Sequence, residues 1–372
     1  MVLNSEKLNY DDIAVVPKVI TDIYHRYECT PYTNSGMLPI FAAPMGSVVS
    51  MNNWRIFHEN KINVVIPRTV PVNDRLEFLK SRSDETCFVA FSLSEIERIF
   101  LSHEEFPCQR TMHICIDIAN GHMRRLLSMI IQLKTVYGSD RICIMAGNIA
   151  NPETYEMYES AGVDYVRCGI GGGSACLTST STAVHYPYFS LLKEVYDKKK
   201  AINGKCKIIA DGNIRSYGDI QKALIYADYV MIGGLFNKAI ESAGRTTYGK
   251  FYWNTRWGRM VRPLKSLIMY GKEIPVHKYP QVMNRIKLGK MDAWKEHYGM
   301  STKKAQSIIG NNEYFKTAEG KVEKQKVEYS IKGWAENEID YLRSALSYTN
   351  SLNLMDYKEA EWVRITNPRI NK

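Results

Sequence analysis

The chain has 372 residues, of which 45% are apolar and 24% are charged, and its formal net charge is +10. These proportions are usual for a soluble globular protein. No apolar stretch of about 18 residues occurs, and the N-terminal MVLNSEKLNYDD lacks the layout of a signal peptide, so we expect a cytoplasmic protein without a membrane span. The positive charge favours anionic ligands, from nucleotides to nucleic acid, without choosing among them.

Eight short apolar runs recur along the chain, and they are continuous rather than alternating in polarity. This pattern is typical of strands that are buried on both faces. The runs are 39–45, 62–68, 87–93, 112–119, 141–147, 165–170, 207–212 and 229–234.

Amphipathic segments such as 151–162 and 216–227 lie between most of these runs. Eightfold alternation of strand and helix predicts an α/β fold, a (β/α)8 TIM barrel. A doubly wound open sheet is the alternative. No GxGxxG follows the first strand, which counts against a Rossmann domain.

Polar residues and glycines collect where the predicted strands end. In barrels of this class the active site lies at the strand ends. These residues are Asp117, Asn120, Gly147, Asn148, 169–176, Asp211, Gly212, Gly233 and Gly234. Each one could belong to an ordinary turn, but together they predict a site on one face of the barrel.

The segment GIGGGSACLTST (169–180) places Cys176 at the end of a glycine-rich loop. Glycines let a backbone turn sharply and approach a ligand, and a thiol in such a loop can be a nucleophile if its pKa is lowered. The alternative is a glycine-rich turn followed by a packed cysteine. The eight cysteines form no CxxC pair and no zinc-like cluster, so we predict neither a disulfide framework nor a zinc site.

Two loops are suited to a phosphate group. Ser174 with its glycines, and the Gly233–Gly234 pair, can offer backbone N–H groups to an anion. The loops after the last two strands of such barrels frequently form a phosphate site. Asp211 could then accept hydrogen bonds from a ribose diol.

The rhythm of strands and helices breaks between 244 and 298, where basic residues interleave with Trp253, Trp257 and Trp294. Such a segment could bind single-stranded nucleic acid. We instead favour a surface excursion, a lid or a subunit contact, and we do not expect nucleic acid as a partner.

Glu319 follows in a small-residue loop, where a mobile carboxylate could act as a general acid or base. A solvated glutamate near a turn is the alternative. The segment 333–349 predicts an amphipathic helix that closes the ring. We expect one barrel domain over 1–372, with an insertion and an active-site flap at 245–333.

Taken together, these segments resemble one family, inosine monophosphate dehydrogenase and guanosine monophosphate reductase. The resemblance covers nearly the whole chain, and the cysteine loop and the ADG loop are its most specific parts. It is carried by LNYDDIAVVP (8–17), AAPM (42–45), IDIANGH (116–122), IMAGNIANPE (144–153), GIGGGSACLT (169–178), ADGNIRSYGDI (210–220), MIGGLFNKAIESAG (231–244), YGMS (298–301) and AEGK (318–321).

The resemblance implies a role for each of these loops. Cys176 would form a covalent adduct at C2 of a purine nucleoside monophosphate, assisted by Thr178 and Glu319. The implied substrate contacts are Ser174, Asp211, Gly212, Asn213, Gly233, Gly234, Met300, Ser301, Lys316 and Gly320. The carbonyls of Gly171, Gly173 and Cys176 would hold a monovalent cation (K⁺), and NADPH would lie near Asp117, Asn120 and Gly121. The resemblance also implies a homotetramer.

Within the family, the sequence favours the reductase, which converts GMP to IMP and ammonia with NADPH. No inserted CBS regulatory domain interrupts the barrel, no Arg-Tyr pair occurs near 298–330, and 182–192 looks like the reductase. The alternatives are an IMP dehydrogenase without the regulatory domain, which would make XMP with NAD, and a non-catalytic relative that binds nucleotide or nucleic acid.

Five residues depart from the family pattern. Asn213 replaces a glycine, Lys316 an arginine, Ala318 a serine, Gly46 an aspartate and Ser179 a basic residue. The nucleophile is retained, whereas the residues that read the substrate have changed. A modified or deoxy purine nucleotide is therefore an alternative substrate.

Overall fold

A computed structural model describes residues 6–102, 106–173, 175–250, 269–270, 276–310 and 320–365. The strands in these ranges are β1 (Ile13–Val15), β2 (Ile40–Ala42), β3 (Asn63–Ile66), β4 (Cys87–Phe91), β5 (Met112–Asp117), β6 (Ile142–Ile149), β7 (Tyr165–Cys168), β8 (Lys207–Asp211), β9 (Tyr229–Ile232), β10 (Thr246–Lys250), β11 (Met269–Tyr270), β12 (Met291–His297), β13 (Glu323–Lys326) and β14 (Trp362–Arg364). Strands β2 to β9 pair in parallel and close into a barrel. The predicted (β/α)8 barrel is thus confirmed, and each predicted strand lies on an observed one.

Helices follow most of the barrel strands and cover them. They are α1 (Trp54–Glu59), α2 (Val72–Ser81), α3 (Leu93–Phe100), α4 (Arg124–Tyr137), α5 (Thr154–Ser160), α6 (Thr178–Thr182), α7 (Tyr188–Ala201), α8 (Tyr217–Leu224), α9 (Gly234–Asn237), α10 (Tyr279–Lys287), α11 (Lys303–Ile308) and α12 (Ile331–Tyr348). The three predicted helices correspond to α5, α8 and α12. Within the described ranges, no helix combines the length and the apolar character that a bilayer span requires.

The barrel strands bury both of their faces, which explains why their sequences do not alternate in polarity. Alternate residues point into the barrel, where four aromatic rings from four strands meet. The ring centroids of Phe41 and Tyr229 are 5.1 Å apart, and those of Phe88 and Tyr165 are 5.2 Å apart. The other face packs against the helices. This packed interior leaves the carboxyl ends of the strands as the place for a site.

Helix α12 completes the outer layer of helices. Its Trp334 is buried and stacks on Tyr217 of α8, with ring centroids 5.4 Å apart. Ser330 is the N-cap residue that precedes the helix, and its hydroxyl accepts a hydrogen bond from the Gly333 N–H at 3.2 Å. Capping of this kind satisfies a backbone donor that the first helical turn leaves without a partner.

Two further sheets lie outside the barrel, and the sequence analysis predicted neither. Strands β1 and β14 form an antiparallel ribbon that joins the two ends of the described chain. Strands β10 to β13 form a four-stranded antiparallel sheet in the order β11-β10-β12-β13. The described part of 244–298 therefore contributes three strands of a sheet and a helix; Trp253 and Trp257 lie outside the described residues.

Candidate active site

A cavity of about 740 Å³ opens at the carboxyl ends of the barrel strands. This volume is within the range of small-molecule sites. Twelve of the residues that the sequence analysis assigned to the site line the cavity: Asp117, Gly171, Gly173, Cys176, Thr178, Asp211, Gly212, Asn213, Gly233, Gly234, Met300 and Ser301. Ser174, Lys316 and Glu319 lie outside the described residues, so their roles stay predictions.

The cysteine loop brings a thiol and a hydroxyl together in this cavity. Cys176 Sγ lies 3.3 Å from Thr178 Oγ1, at the start of α6. The Cys176 N–H donates to the Gly173 carbonyl at 2.9 Å, which closes the turn before the thiol. A hydroxyl at this distance can hydrogen-bond either a thiol or a thiolate.

The other seven cysteines, all of them described, are not among the residues that line the cavity. Burial raises the pKa of the Cys87 and Cys115 thiols to about 12. Burial also raises the pKa of Cys29, Cys143, Cys168 and Cys206. Because the thiolate is the nucleophile, these buried cysteines are poor candidates for the chemistry, and Cys176 is the cysteine that lines the cavity.

The segment that follows Glu319 returns to the cysteine loop. Gly320 forms an antiparallel bridge with Cys176, and the Lys321 N–H donates to the Ala175 carbonyl at 2.9 Å. A β-carbon at Gly320 would lie 2.9 Å from Ser301 Oγ and 2.8 Å from Thr302 Cγ2. A side chain here would require Ser301 or Thr302 to move. These contacts make the predicted residues Cys176, Ser301 and Gly320 neighbours.

A buried arginine connects two carboxylates at the floor of the cavity. Arg167 of β7 donates from Nη1 to Asp117 Oδ1 at 2.8 Å and from Nε to Asp211 Oδ2 at 2.9 Å. Burial disfavours the charged guanidinium, but the carboxylates of Asp211 and Asp117 outweigh burial and raise the pKa of Arg167 well above its ordinary value. Arg167 was not among the predicted site residues, although a charged residue inside the apolar run YVRC is a usable signal in the sequence.

Asn148 holds Asp211 from a third direction. Its side-chain nitrogen donates to Asp211 Oδ2 and to the Gly169 carbonyl, both at 2.8 Å. The described bonds to this carboxylate all fall on Oδ2. Asp211 can therefore offer Oδ1 to a ligand while Arg167 and Asn148 fix its orientation.

Cationic and glycine residues collect at another wall of the cavity. Gly233 directly precedes α9, Gly234 is its first residue, and Lys238 directly follows it; all three line the cavity. Lys238 Nζ lies 3.1 Å from Glu328 Oε1, and Arg215 also lines the cavity. Backbone N–H groups and cations in one wall are suited to an anion.

The three residues assigned to the nicotinamide cofactor differ in their placement. Asp117 lines the cavity, with its carboxylate bound by Arg167 and 4.0 Å from Arg68 Nη1. The side-chain oxygen Oδ1 of Asn120 accepts a hydrogen bond from the His122 backbone N–H at 3.1 Å. The Gly121 N–H donates a hydrogen bond to the Asn148 carbonyl at 2.9 Å. Asn120 and Gly121 are not among the described lining residues, and their contact with a cofactor stays a prediction.

Two of the three carbonyls assigned to a monovalent cation accept a described hydrogen bond. Gly171 O accepts from Ser179 Oγ, and Gly173 O accepts from the Cys176 N–H, both at 2.9 Å. A carbonyl oxygen has two lone pairs, so both can still coordinate a cation of the kind that carbonyl rings bind. Among the described residues, no cluster of three His, Cys, Asp or Glu side chains offers a site of another kind.

Two departures from the family pattern have physical explanations. Asn213 has φ of 57°, a left-handed conformation that glycine adopts freely and that asparagine tolerates best among other residues. A β-carbon at Gly46 would lie 2.4 Å from Thr69 Oγ1. Thr69 therefore fills the space that an acidic side chain would need.

The backbone at Asn213 leads to a prediction. Replacing Asn213 with alanine should lower the free energy of unfolding by about 1 kcal/mol, because alanine lacks the local hydrogen bonding that stabilises φ > 0. Asn213→Gly should unfold close to the unmodified protein. Urea denaturation of both variants measures the difference. Equal stability of the alanine and glycine variants would contradict this explanation.

The fold and the site define a (β/α)8 barrel protein with a cysteine in the lining of its cavity. Residues 89–260 match the IMP dehydrogenase / GMP reductase domain. A GMP reductase of Caenorhabditis elegans is 26% identical over 98% of this chain and 93% of its own length. GMP reductases of Staphylococcus saprophyticus and Shouchella clausii are 32% and 31% identical, each over 66% of this chain and 75% of the relative. The chain belongs to the IMP dehydrogenase / GMP reductase family.

Proposed function

We propose that this protein is a GMP reductase that converts GMP to IMP and ammonia. The observation that carries the proposal is the thiol of Cys176, 3.3 Å from the hydroxyl of Thr178 and bridged to Gly320. This geometry supports a nucleophile with a proton-transfer partner. The relatives named GMP reductase support the same reaction.

The proposed chemistry takes place at C2 of the purine. The Cys176 thiolate adds to C2, and the 2-amino group leaves as ammonia after it takes up a proton. Thr178 and Glu319 are the groups proposed to move that proton. Glu319 directly precedes Gly320 in the chain, and Gly320 pairs with Cys176.

NADPH, when bound, supplies the hydride that reduces C2 and allows the thiolate to leave again. The part of this chain proposed to orient it is the end of β5 and the loop after it, where the Asp117 carboxylate is bound by Arg167 and lies 4.0 Å from Arg68 Nη1. The cavity volume of about 740 Å³ supports simultaneous occupation by a nucleotide and a nicotinamide ring.

The walls of the cavity support the proposed binding of a nucleoside monophosphate. Asp211, fixed by Arg167 and Asn148, would accept hydrogen bonds from the ribose. The Gly233–Gly234 segment would take the phosphate, with Ser174 from the cysteine loop. Met300 and Ser301 would contact the base. Lys316 and Gly320 complete the proposed contacts.

We further propose a K⁺ ion at the carbonyls of Gly171, Gly173 and Cys176, and a homotetramer. Exposed apolar side chains support self-association. Val19, Ile20 and Tyr24 are 100%, 78% and 97% exposed. Tyr348, which is also exposed, lies beside this segment, since the Lys18 N–H donates to the Tyr348 carbonyl at 2.9 Å.

Reduced-nicotinamide absorbance tests the proposed reaction. One mixture contains the protein, K⁺, GMP and NADPH, and the other contains the protein, K⁺, IMP and NAD. We expect absorbance to fall in the first mixture with equal release of ammonia. A rise in the second mixture alone would instead identify an IMP dehydrogenase. No change in either, with GMP still bound, would indicate a binding protein or a different purine nucleotide.

A further inference from the structure

A buried histidine that the sequence analysis did not single out lines the cavity. His297 is the last residue of β12 and is 2% exposed. Residues alternate in orientation along this strand, and the buried face contains Met291, Ala293, Lys295 and His297. The strand thus directs the His297 ring into the cavity from outside the barrel.

The hydrogen bonds of Ser47 determine which ring nitrogen carries the proton. Ser47 Oγ donates its single proton to the Tyr298 carbonyl at 3.1 Å. With that proton placed on the Tyr298 carbonyl, Oγ is assigned as the acceptor from His297 Nδ1 and from the Tyr298 N–H, each 3.4 Å away. In the neutral ring, Nδ1 is then the donor and Nε2 has a free lone pair. His297 lines the cavity and its Nδ1 faces Ser47, which is not among the described lining residues, and this leaves Nε2 as the ring nitrogen available to a ligand.

The same contacts hold His297 beside the glycine segment that begins α9. The side-chain amide of Asn237, the last residue of α9, has its nitrogen toward the carbonyls of Ser47 and Glu296 at 3.0 and 3.1 Å. The Gly244 N–H also donates to the Ser47 carbonyl at 2.8 Å. His297, Gly234 and Lys238 consequently line the same cavity.

Charged groups from each neighbouring element surround this position. On β13, Glu323 pairs with His297 in the strand register, and Lys321 Nζ lies 3.2 Å from its carboxylate. On β12, Lys295 Nζ donates to the Ser242 carbonyl at 2.7 Å. After α9, Lys238 is paired with Glu328. Burial lowers the pKa of His297 to about 4, although Glu323 opposes this effect, so the ring is neutral near pH 7 in the free protein.

We propose that His297 binds the phosphate group of the nucleotide through Nε2 and takes up a proton when the phosphate binds. A phosphate dianion next to Nε2 favours the imidazolium, whose N–H then donates a charge-assisted hydrogen bond. The inference rests on the proposed function only in assuming a phosphate monoester as ligand. The nearby cation, Lys238, is already paired with Glu328, so His297 supplies a positive charge that appears only with the ligand.

The linkage has a definite sign. The pKa of His297 is higher with phosphate bound than in the free protein, so protons are taken up at pH values between the two. In that interval, affinity falls as pH rises, by up to about tenfold per pH unit. The second ionisation of the phosphate, near pH 6, acts in the opposite direction, and comparison with a variant lacking the histidine removes its contribution.

Calorimetric titration in two buffers of different ionisation enthalpy measures the proton uptake. The ligands are GMP, ribose 5-phosphate and guanosine, and the variants are His297→Gln and His297→Phe. We expect proton uptake with both phosphate ligands in the unmodified protein and none from this position in either variant. His297→Phe should bind both phosphates about tenfold or more weakly and guanosine unchanged. His113→Gln, near the amino-terminal end of β5, is the control: it removes a half-buried histidine that is not among the described lining residues, and it should retain the uptake.

The ligands separate failure of this inference from failure of the proposed function. If ribose 5-phosphate shows the His297-dependent uptake while GMP does not bind, GMP reduction is wrong and the inference stands. If GMP binds and turns over with the same proton uptake in His297→Gln, the inference is overturned alone. Binding of guanosine without binding of either phosphate would also overturn it.

Discussion

Replacing Cys176 with alanine is expected to reduce GMP turnover roughly 10⁴-fold or more, the scale on which loss of a nucleophile acts. The Sγ atom is the group proposed to add to C2, and among the described residues Cys176 is the one cysteine that lines the cavity. Binding of GMP should persist, because Asp211 and the Gly233–Gly234 segment are unchanged. Oxidation of NADPH measures turnover, and calorimetry measures binding.

Cys143→Ala is the matched control for this prediction. Cys143 is a half-buried cysteine near the start of β6, away from the cavity. Its variant should retain most of the activity. If Cys176→Ala kept turnover within a few-fold of the unmodified protein, the covalent mechanism would be wrong. If Cys176→Ala lost GMP binding as well as turnover, the substitution would have disturbed the structure of the site. Cys176→Ser, which is closer in size to cysteine, would then test the role of the thiol.

Arg167→Met should lower the free energy of unfolding by about 3–5 kcal/mol, the usual effect of removing one partner from a buried charge cluster. The Arg167 side chain is 8% exposed, and Asp117 and Asp211 are 10% and 15% exposed. Without the guanidinium, two neighbouring carboxylates lose the cation between them. Urea unfolding near pH 7 measures the loss.

Two further variants test the cause. Arg167→Lys retains a positive charge but cannot bind both carboxylates through a planar fork, so it should lie between Arg167→Met and the unmodified protein. Arg125→Met removes an ion pair with Glu97 in which the two side chains are 63% and 60% exposed. It should change stability by less than about 1 kcal/mol. Equal losses in Arg167→Met and Arg125→Met would rule out a structural role for the buried cluster.

The barrel and the position of its site were accessible from the sequence. Buried parallel strands need apolar side chains on both faces, so each strand is visible as a continuous apolar run. Because all eight strands are parallel, their carboxyl ends meet on one face. Polar residues that follow separate strands, such as Asp117, Cys176 and Asp211, therefore had to converge.

The contacts within the site required the tertiary structure. Arg167 is stable inside the barrel only because Asp117 and Asp211 reach it from strands far away in the chain, and one sequence does not state that pairing. The left-handed backbone at Asn213 and the space that Thr69 takes from Gly46 are likewise properties of packed loops. They explain why Asn213 and Gly46 differ from the family pattern, which the sequence alone does not explain.

The second sheet shows most directly what only the fold decides. Strand β13 has the sequence EKQK, without an apolar residue, and β12 places Lys295 and His297 on its buried face. The polarity of these segments, taken alone, does not predict strands. They become strands because distant segments supply their backbone hydrogen bonds, and β12 then packs against α9. The sequence by itself determined the barrel, whereas pairing between distant segments decided where His297 lies.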